Sequence, residues 1–297
     1  MSSDNDKGIA AGHSMGGRKP HRTSHPPRTF RDQLQPWLVK ADFQKPFLMD
    51  DGVIRALHFS PHFVQSEMNI ENPYELTLFY TRKMMAFLLF CPRPKDIVIV
   101  GLGGGSLTKF CSRQLPGTRI TTVEIDEYVI ALGSYFHIPE QDERMRIVHA
   151  DAADYFATNE ERVDVILVDG CDERGIAPAF CNLGFYQCLR TRLRPGGVLV
   201  VNLVGAMDIV LANQGFIAAA FSNQLIVQNV SFEGNRVAFA FNDPWSAPDW
   251  TAIECEAVKL HEQHGLEFPA FVRKLQHSYE HHGARSCSLH RITDMIT

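Results

Sequence analysis

An α/β fold built on a mostly parallel sheet is predicted by three observations. From Ile97 onward, short branched apolar runs alternate with segments of helical period, the pattern of successive strand–helix units. A glycine run, Gly101-Leu102-Gly103-Gly104-Gly105-Ser106, separates the first of these strands from its helix, where an open sheet turns tightly. The alternation ends in Leu225 to Val230 and Arg236 to Phe241 around Glu233-Gly234-Asn235, which predicts a closing antiparallel hairpin.

The elements follow in order. Residues 1–35 are rich in Gly, Ser, His, Pro and Arg and poor in branched apolar residues, so a disordered, net basic tail is expected. Asp50-Asp51-Gly52 is a turn signal, and Val53 to Leu57 reads as a strand leaving it, giving a short N-terminal β-hairpin. Leu76, Phe79, Tyr80, Met84, Phe87 and Leu88 recur at helical spacing, which predicts a helix from Pro73 to Phe90. Strands are expected at 97–100, 120–123, 145–149, 163–168 and 198–203. Helices are expected at 106–114, 127–135, 185–193 and 209–221. Pro195-Gly196-Gly197 marks the break before the fifth strand. Beyond Pro248 a helical pattern resumes, with a second helix over 268–281, as a C-terminal extension.

The chain has 297 residues, 45% hydrophobic and 21% charged, with net charge −5. That is enough for a full core, and the charge gives no support for a nucleic-acid-binding surface. The seven cysteines form no CxxC pair. No apolar stretch near residue 1 has signal-peptide form, and no apolar run reaches the roughly 18 residues that span a bilayer. A reduced, cytoplasmic protein without a membrane partner is therefore expected.

Three positions turn the predicted sheet edge into a ligand crevice. Gly101, Gly103 and Gly105 let a ligand approach the backbone at a helix N-terminus. Glu124 ends the second strand, where an acid accepts hydrogen bonds from ribose hydroxyls; it also suits the start of the helix that follows. Asp151 follows the third strand, placed to accept from an adenine amino group, and equally to cap a short helix. The pattern outlines a nucleoside site. The same pattern could hold a nicotinamide dinucleotide, but the run does not follow GxGxxG cleanly, since Ser106 stands where the third glycine belongs. The fourth strand ends in Val168-Asp169-Gly170-Cys171-Asp172-Glu173, a group of acids where open α/β sheets place their chemistry.

These blocks resemble the spermidine synthases, the polyamine aminopropyltransferases, over about two thirds of the chain. The matching residues are the glycine turn, Val123-Glu124-Ile125-Asp126, Ala150-Asp151-Ala152, Asp164 to Asp172, Phe185-Tyr186, Leu193 to Leu199 and Asp50 to Ile54. The resemblance implies a methyltransferase-type Rossmann-like sheet. It implies a transferase that moves an aminopropyl group from decarboxylated S-adenosylmethionine to a di- or polyamine. An S-adenosylmethionine-dependent methyltransferase is the alternative, and a catalytically weak nucleoside-binding protein is a third. By the same resemblance Asp169 is the catalytic acid and Asp172 helps hold the cationic substrate. Glu124 binds ribose and Asp151 binds adenine. The adenosyl donor is a co-substrate, and no prosthetic group is implied. The partner is a small-molecule amine, and the relatives' habit implies a homodimer.

Three departures from that pattern concern the donor tail and acceptor. Gly104 replaces the acid of the family's G-G-G-D-G-G turn, which in the family contacts the donor's ammonium. Thr81-Arg82-Lys83-Met84 replaces Y-Q-E-M, which places Arg82 beside the acceptor, a like-charge cost of about 1 to 4 kcal/mol for a close pair, or beside a donor carboxylate. Tyr80 is out of register with the family tyrosine, so no role passes to it. Asn229 to Gly234 replaces a segment bearing tyrosine and proline. Outside these blocks, His261 with His264 and His277 with His281 have helical spacing but no accompanying acid or cysteine, so no metal site is expected. Cys171 lacks a histidine partner and reads as a small loop residue.

Overall fold

The computed structural model describes residues 45–60, 63–172, 175–230, 234–243 and 248–293. The expected tail, Glu173, Glu233 and the His281 side chain lie outside the described residues.

The chain opens with β1 (Phe47–Asp50), β2 (Ile54–Ser60) and β3 (Phe63–Asn69), paired antiparallel in that order. Asp51 closes the first turn by accepting from the amides of Val53 and Ile54 at 2.9 and 2.7 Å. The hairpin expected from the sequence is thus a three-stranded sheet. β3 escapes notice because its inward positions include the small polar Ser66 beside Met68, both buried. The helix expected from Pro73 starts only at Phe79. Glu75 turns back to Asn72 at 3.0 Å and Thr77 bonds the Glu67 carbonyl at 3.0 Å. These contacts tie the preceding stretch to β3 and leave Leu78 extended. α1 (Phe79–Met84) then tightens into a 3-10 turn over Met85–Leu89.

Strand–helix units follow: β4 (Asp96–Val100), α2 (Ser106–Gln114), β5 (Arg119–Glu124), α3 (Glu127–Ala131) and β6 (Met145–His149). Next come α4 (Ala152–Thr158), β7 (Val163–Val168) and the two-residue pair β8 (Cys171–Asp172) and β9 (Gly175–Ile176). The chain continues through α5 (Leu183–Thr191), β10 (Leu193–Leu203), α6 (Met207–Ala220), β11 (Leu225–Asn229) and β12 (Arg236–Phe241). α7 (Trp250–His264) and α8 (Phe268–Thr293) complete it. Pro195, Gly196 and Gly197, expected as a break, lie within β10. The pairing with β7 shifts register between Leu193 and Val198 there, which absorbs the missing proline N–H.

The main sheet has seven strands in the order β11-β12-β10-β7-β4-β5-β6. Five run parallel, and β12 pairs antiparallel with both β10 and β11. This is the closing hairpin read from the sequence. β4 is buried along its whole length, as a strand covered on both faces must be. One face packs Phe87, Leu88 and Phe110 with Phe268, Val272 and Leu275 of α8. The other packs Phe156, Phe185, Tyr186 and Leu189 with Val210 and Ile217 of α6. The C-terminal helices therefore cover the sheet. Leu57, Met68, Leu102 and Phe136 join the small N-terminal sheet to the glycine-turn end.

Strand order reverses between β4 and β7: the chain runs outward through β5 and β6, then returns to the other side of β4. Such a switch point opens a crevice at the carboxyl ends of the strands. Among the described residues no helix is long and apolar enough to cross a membrane.

Candidate active site

Backbone hydrogen bonds continue past the strand ends and bring the loops side by side. Gly101 donates to Val123 at 2.8 Å, Asp169 to Val100 at 2.9 Å, and Ala150 to Glu124 at 3.0 Å. Gly101 has φ +93°, and a Cβ there would collide with the Asp169 carbonyl. Only glycine lets these two loops touch. Together they floor a cleft of about 230 Å³ lined by Gly101, Gly103, Glu124, Asp151, Asp169 and Asp172 among its residues. Six of the seven site positions read from the sequence thus meet in one place. Gly105 is not among the lining residues: it starts α2 with φ +69°, and a Cβ there would press on Ile138. It shapes the turn from behind.

Glu124 is buried. Its Oε2 accepts from the Leu102 amide at 2.7 Å, and its Oε1 from the Asp126 amide at 2.9 Å. The carboxylate therefore holds the glycine turn and the start of α3 together, with lone pairs remaining on both oxygens. Asp151 caps α4 by accepting from Ala153 at 2.7 Å, so its helix-capping role is realised while the residue lines the cleft. Asp126 also lines the cleft and caps α3 through the Tyr128 amide at 2.8 Å.

Asp169 is enclosed. Tyr80 donates to its Oδ2 at 3.1 Å and Asn202 to its Oδ1 at 2.8 Å. Loss of solvent raises its pKa above the usual carboxylate value, and the two donors oppose the rise. The neighbouring Cys171 thiol is pushed well above its ordinary value by burial and by the charges of Asp169 and Asp172. It stays protonated, in keeping with a loop residue rather than a nucleophile. Five carboxylates, Glu124, Asp126, Asp151, Asp169 and Asp172, face this cleft, and no Lys, Arg or His stands among its described lining residues. The field suits a cationic ligand.

The spermine/spermidine synthase domain matches residues 77–220. A polyamine aminopropyltransferase of Chromobacterium violaceum is 35% identical over 233 residues, covering 77% of this chain and 88% of that protein. The chain belongs to the spermine/spermidine synthase family. A Neisseria meningitidis polyamine aminopropyltransferase is 32% identical over 261 residues, 87% of this chain and 97% of the relative. The crystal structure of a probable spermidine synthase from Corynebacterium glutamicum shares the fold, with TM-score 0.61 and 18% identity over 72% of this chain and 83% of that one.

Within this family, two expectations about the acceptor side need correction. Arg82 is not beside the cleft. It donates to the Leu76 carbonyl at 2.6 Å and pairs with Glu75 and Glu267 at 3.4 Å each. The expected charge conflict is absent, and so is the suggested hold on a donor carboxylate. Tyr80, set aside for its register, reaches Asp169. Helix α1 starts late, so its first turn presents Tyr80 to the strand ends. The family's acid at Gly104 has no room here: a Cβ would lie 2.7 Å from Ser66 Oγ and 2.8 Å from Phe136 Cδ1. The sequence pattern marks Asn235 only as a turn residue and leaves Asn202 unmarked. A lone asparagine late in an apolar strand, Val198 to Leu203, was the available signal, since a buried amide must have partners.

The first histidine pair makes local contacts within the fold. His261 Nδ1 pairs with the Leu266 carbonyl at 2.7 Å, and the His264 ring sits 6.1 Å from Phe110 and 6.2 Å from Phe268.

Proposed function

We propose that this chain transfers the aminopropyl group of decarboxylated S-adenosylmethionine to a di- or polyamine. The observation that carries the reading is a desolvated carboxylate, Asp169, at the switch point of a cleft whose described charged groups are all acids. Gly101 and Gly103 give the donor close access to the backbone, Glu124 accepts from its ribose hydroxyls, and Asp151 accepts from its adenine amino group. Asp172 attracts the acceptor's ammonium.

A primary alkylamine has a pKa of about 10.4, so only about one molecule in 2,500 is neutral at pH 7. Asp169 takes a proton from the acceptor's ammonium. The freed lone pair attacks the donor carbon next to sulfur, the C–S bond breaks, and its electron pair returns to sulfur. Neutral methylthioadenosine leaves. A carboxylate of raised pKa is a better proton acceptor for this step. Turnover neutralises the sulfonium, so product is held less tightly than donor in the acidic cleft.

The methyltransferase alternative is disfavoured by the same charges. The carboxylate of ordinary S-adenosylmethionine would enter among acids, with no described cation lining the cleft to receive it. Mass spectrometry of products from each donor with a panel of di- and polyamines tests the reading. Aminopropylated amine from the decarboxylated donor, lost in Asp169→Asn, is expected. Methylated product from the carboxylated donor alone would refute it.

A further inference from the structure

The Asp169 carboxylate is held by an ordered chain of amides. Asn202 Nδ2 donates to Asp169 Oδ1 at 2.8 Å, and Asn235 Nδ2 donates to Asn202 Oδ1 at 2.8 Å. Both asparagines are buried, with 4% and 8% exposure. Asn202 stands near the end of β10. Asn235 precedes β12 in the turn of the closing hairpin, where its carbonyl accepts from the Val230 amide at 2.8 Å. The same turn is tied to α1 by Lys83, which donates to the Asn229 carbonyl at 2.8 Å.

Chemistry sets the direction of this chain. A carboxylate only accepts hydrogen bonds, so the amide beside it must present its NH₂. The Asn202 carbonyl oxygen then points away and requires a donor, because a buried acceptor without one is costly. Asn235 supplies that donor, and thereby blocks the amide flip that would turn an oxygen toward Asp169. The two carboxylate oxygens are consequently unequal. Oδ1 is tied to an amide N–H that can only donate, which favours the charged form of that oxygen although a lone pair remains on it. Oδ2 faces the Tyr80 hydroxyl, which can rotate and act as donor or acceptor.

We propose that Asn235, acting through Asn202, is a positioning residue that reserves Oδ1 as a fixed acceptor and makes Oδ2 the oxygen that receives the substrate proton. The inference rests on the transfer reading above. In the step, an N–H bond of the acceptor's ammonium breaks, an O–H bond forms at Oδ2, and the amine keeps the electron pair with which it attacks carbon. The Tyr80 hydroxyl turns to accept or to stand aside. The other groups that face Asp169 or share its cleft are Cys171, Asp172, Glu124, Asp126 and Asp151. None of these is a described cation that would take over the task of the amides.

The test uses the full-length protein with Asn235→Ala, Asn235→Asp, Asn235→Ser and Asn202→Ala. Three quantities are measured: the pH profile of kcat/KM, the affinity for methylthioadenosine, and the ¹³C titration of the Asp169 carboxyl, assigned with Asp169→Asn. Asn235→Ala is expected to lower kcat about ten-fold, the scale of a mispositioned proton acceptor, with nucleoside affinity within about two-fold. Its acid limb and the Asp169 titration should both move to higher pH. Asn235→Asp should do more damage, because its carboxylate accepts from Asn202 Nδ2 and turns Oδ1 toward Asp169. Asn235→Ser keeps a donor and should retain more activity than Asn235→Ala. A lowered melting temperature with unchanged pH profile and unchanged titration would overturn the proposal. Should the wild-type protein fail to aminopropylate any amine, the transfer reading falls. The carboxyl titration then still decides the relay, and an Asp169 midpoint unmoved by Asn235→Ala and Asn202→Ala would refute it.

Discussion

Tyr80 donates its phenolic hydroxyl to Asp169 Oδ2 at 3.1 Å, linking helix α1 to the carboxyl end of β7 across 89 positions of sequence. The donor opposes the desolvation that raises the Asp169 pKa. Tyr80→Phe removes it and leaves the ring in place. The Asp169 pKa should rise further, so the rate should fall off at a higher pH on the acidic side. At pH 7 kcat/KM should drop about ten-fold, within the range of one charge-assisted hydrogen bond. Steady-state kinetics across pH checks this, and an unchanged acid limb would count against the contact.

Glu124 accepts from the backbone amides of Leu102 and Asp126. Glu124→Ala should lower stability by about 1 to 3 kcal/mol, the cost of leaving buried donors unpaired. It should also weaken binding of the donor and of methylthioadenosine by about 100-fold, through loss of the proposed ribose contacts and a loosened turn. Thermal melts and calorimetric titration measure the two effects separately.

Gly104 is closed in by Ser66 and Phe136. Gly104→Asp, which restores the family's residue, should destabilise the protein by about 1 to 3 kcal/mol through overpacking. Adding Ser66→Ala removes one of the clashing atoms and should recover part of that loss. Denaturant unfolding of the single and double variants decides it; equal stabilities would show that the loop shifts freely.

Lys109 is buried on α2, donates to the Phe136 carbonyl at 2.8 Å, and has its pKa brought down by desolvation to about 8. The unfolded chain holds this proton up to the ordinary lysine value of about 10.4. Between about pH 8 and 10 the unfolded state therefore binds more protons, and this group's contribution to stability rises with pH. Lys109→Met should flatten that rise and stabilise the protein near pH 7. Unfolding free energies at several pH values give the slope, and an identical slope in both proteins would contradict the assignment.

Arg82 pairs with Glu75 and Glu267 on a partly exposed surface. Arg82→Ala should leave the KM for amine within about two-fold and cost up to about 1 kcal/mol of stability, as such pairs do. A large change in amine KM would place Arg82 back at the acceptor.

Strand identity was legible because β4, β5, β6 and β7 are local runs of branched apolar residues bounded by turn formers. Gly101, Glu124, Asp151 and Asp169 were legible because an acid or glycine at the end of such a run has one place to go, the carboxyl edge of the sheet. The sequence by itself therefore determined the parallel sheet, its closing hairpin and the meeting of these residues in one cleft. The acceptor side was decided in three dimensions. Where α1 begins depends on Thr77 bonding β3, and that start sets Tyr80 against Asp169 and turns Arg82 toward Glu267. Asn202 and Asn235 meet because β10 and β12 pair antiparallel. Contacts between residues far apart in sequence leave no periodic trace along the chain. They arise only when packing brings polar groups out of water and obliges each to find a partner.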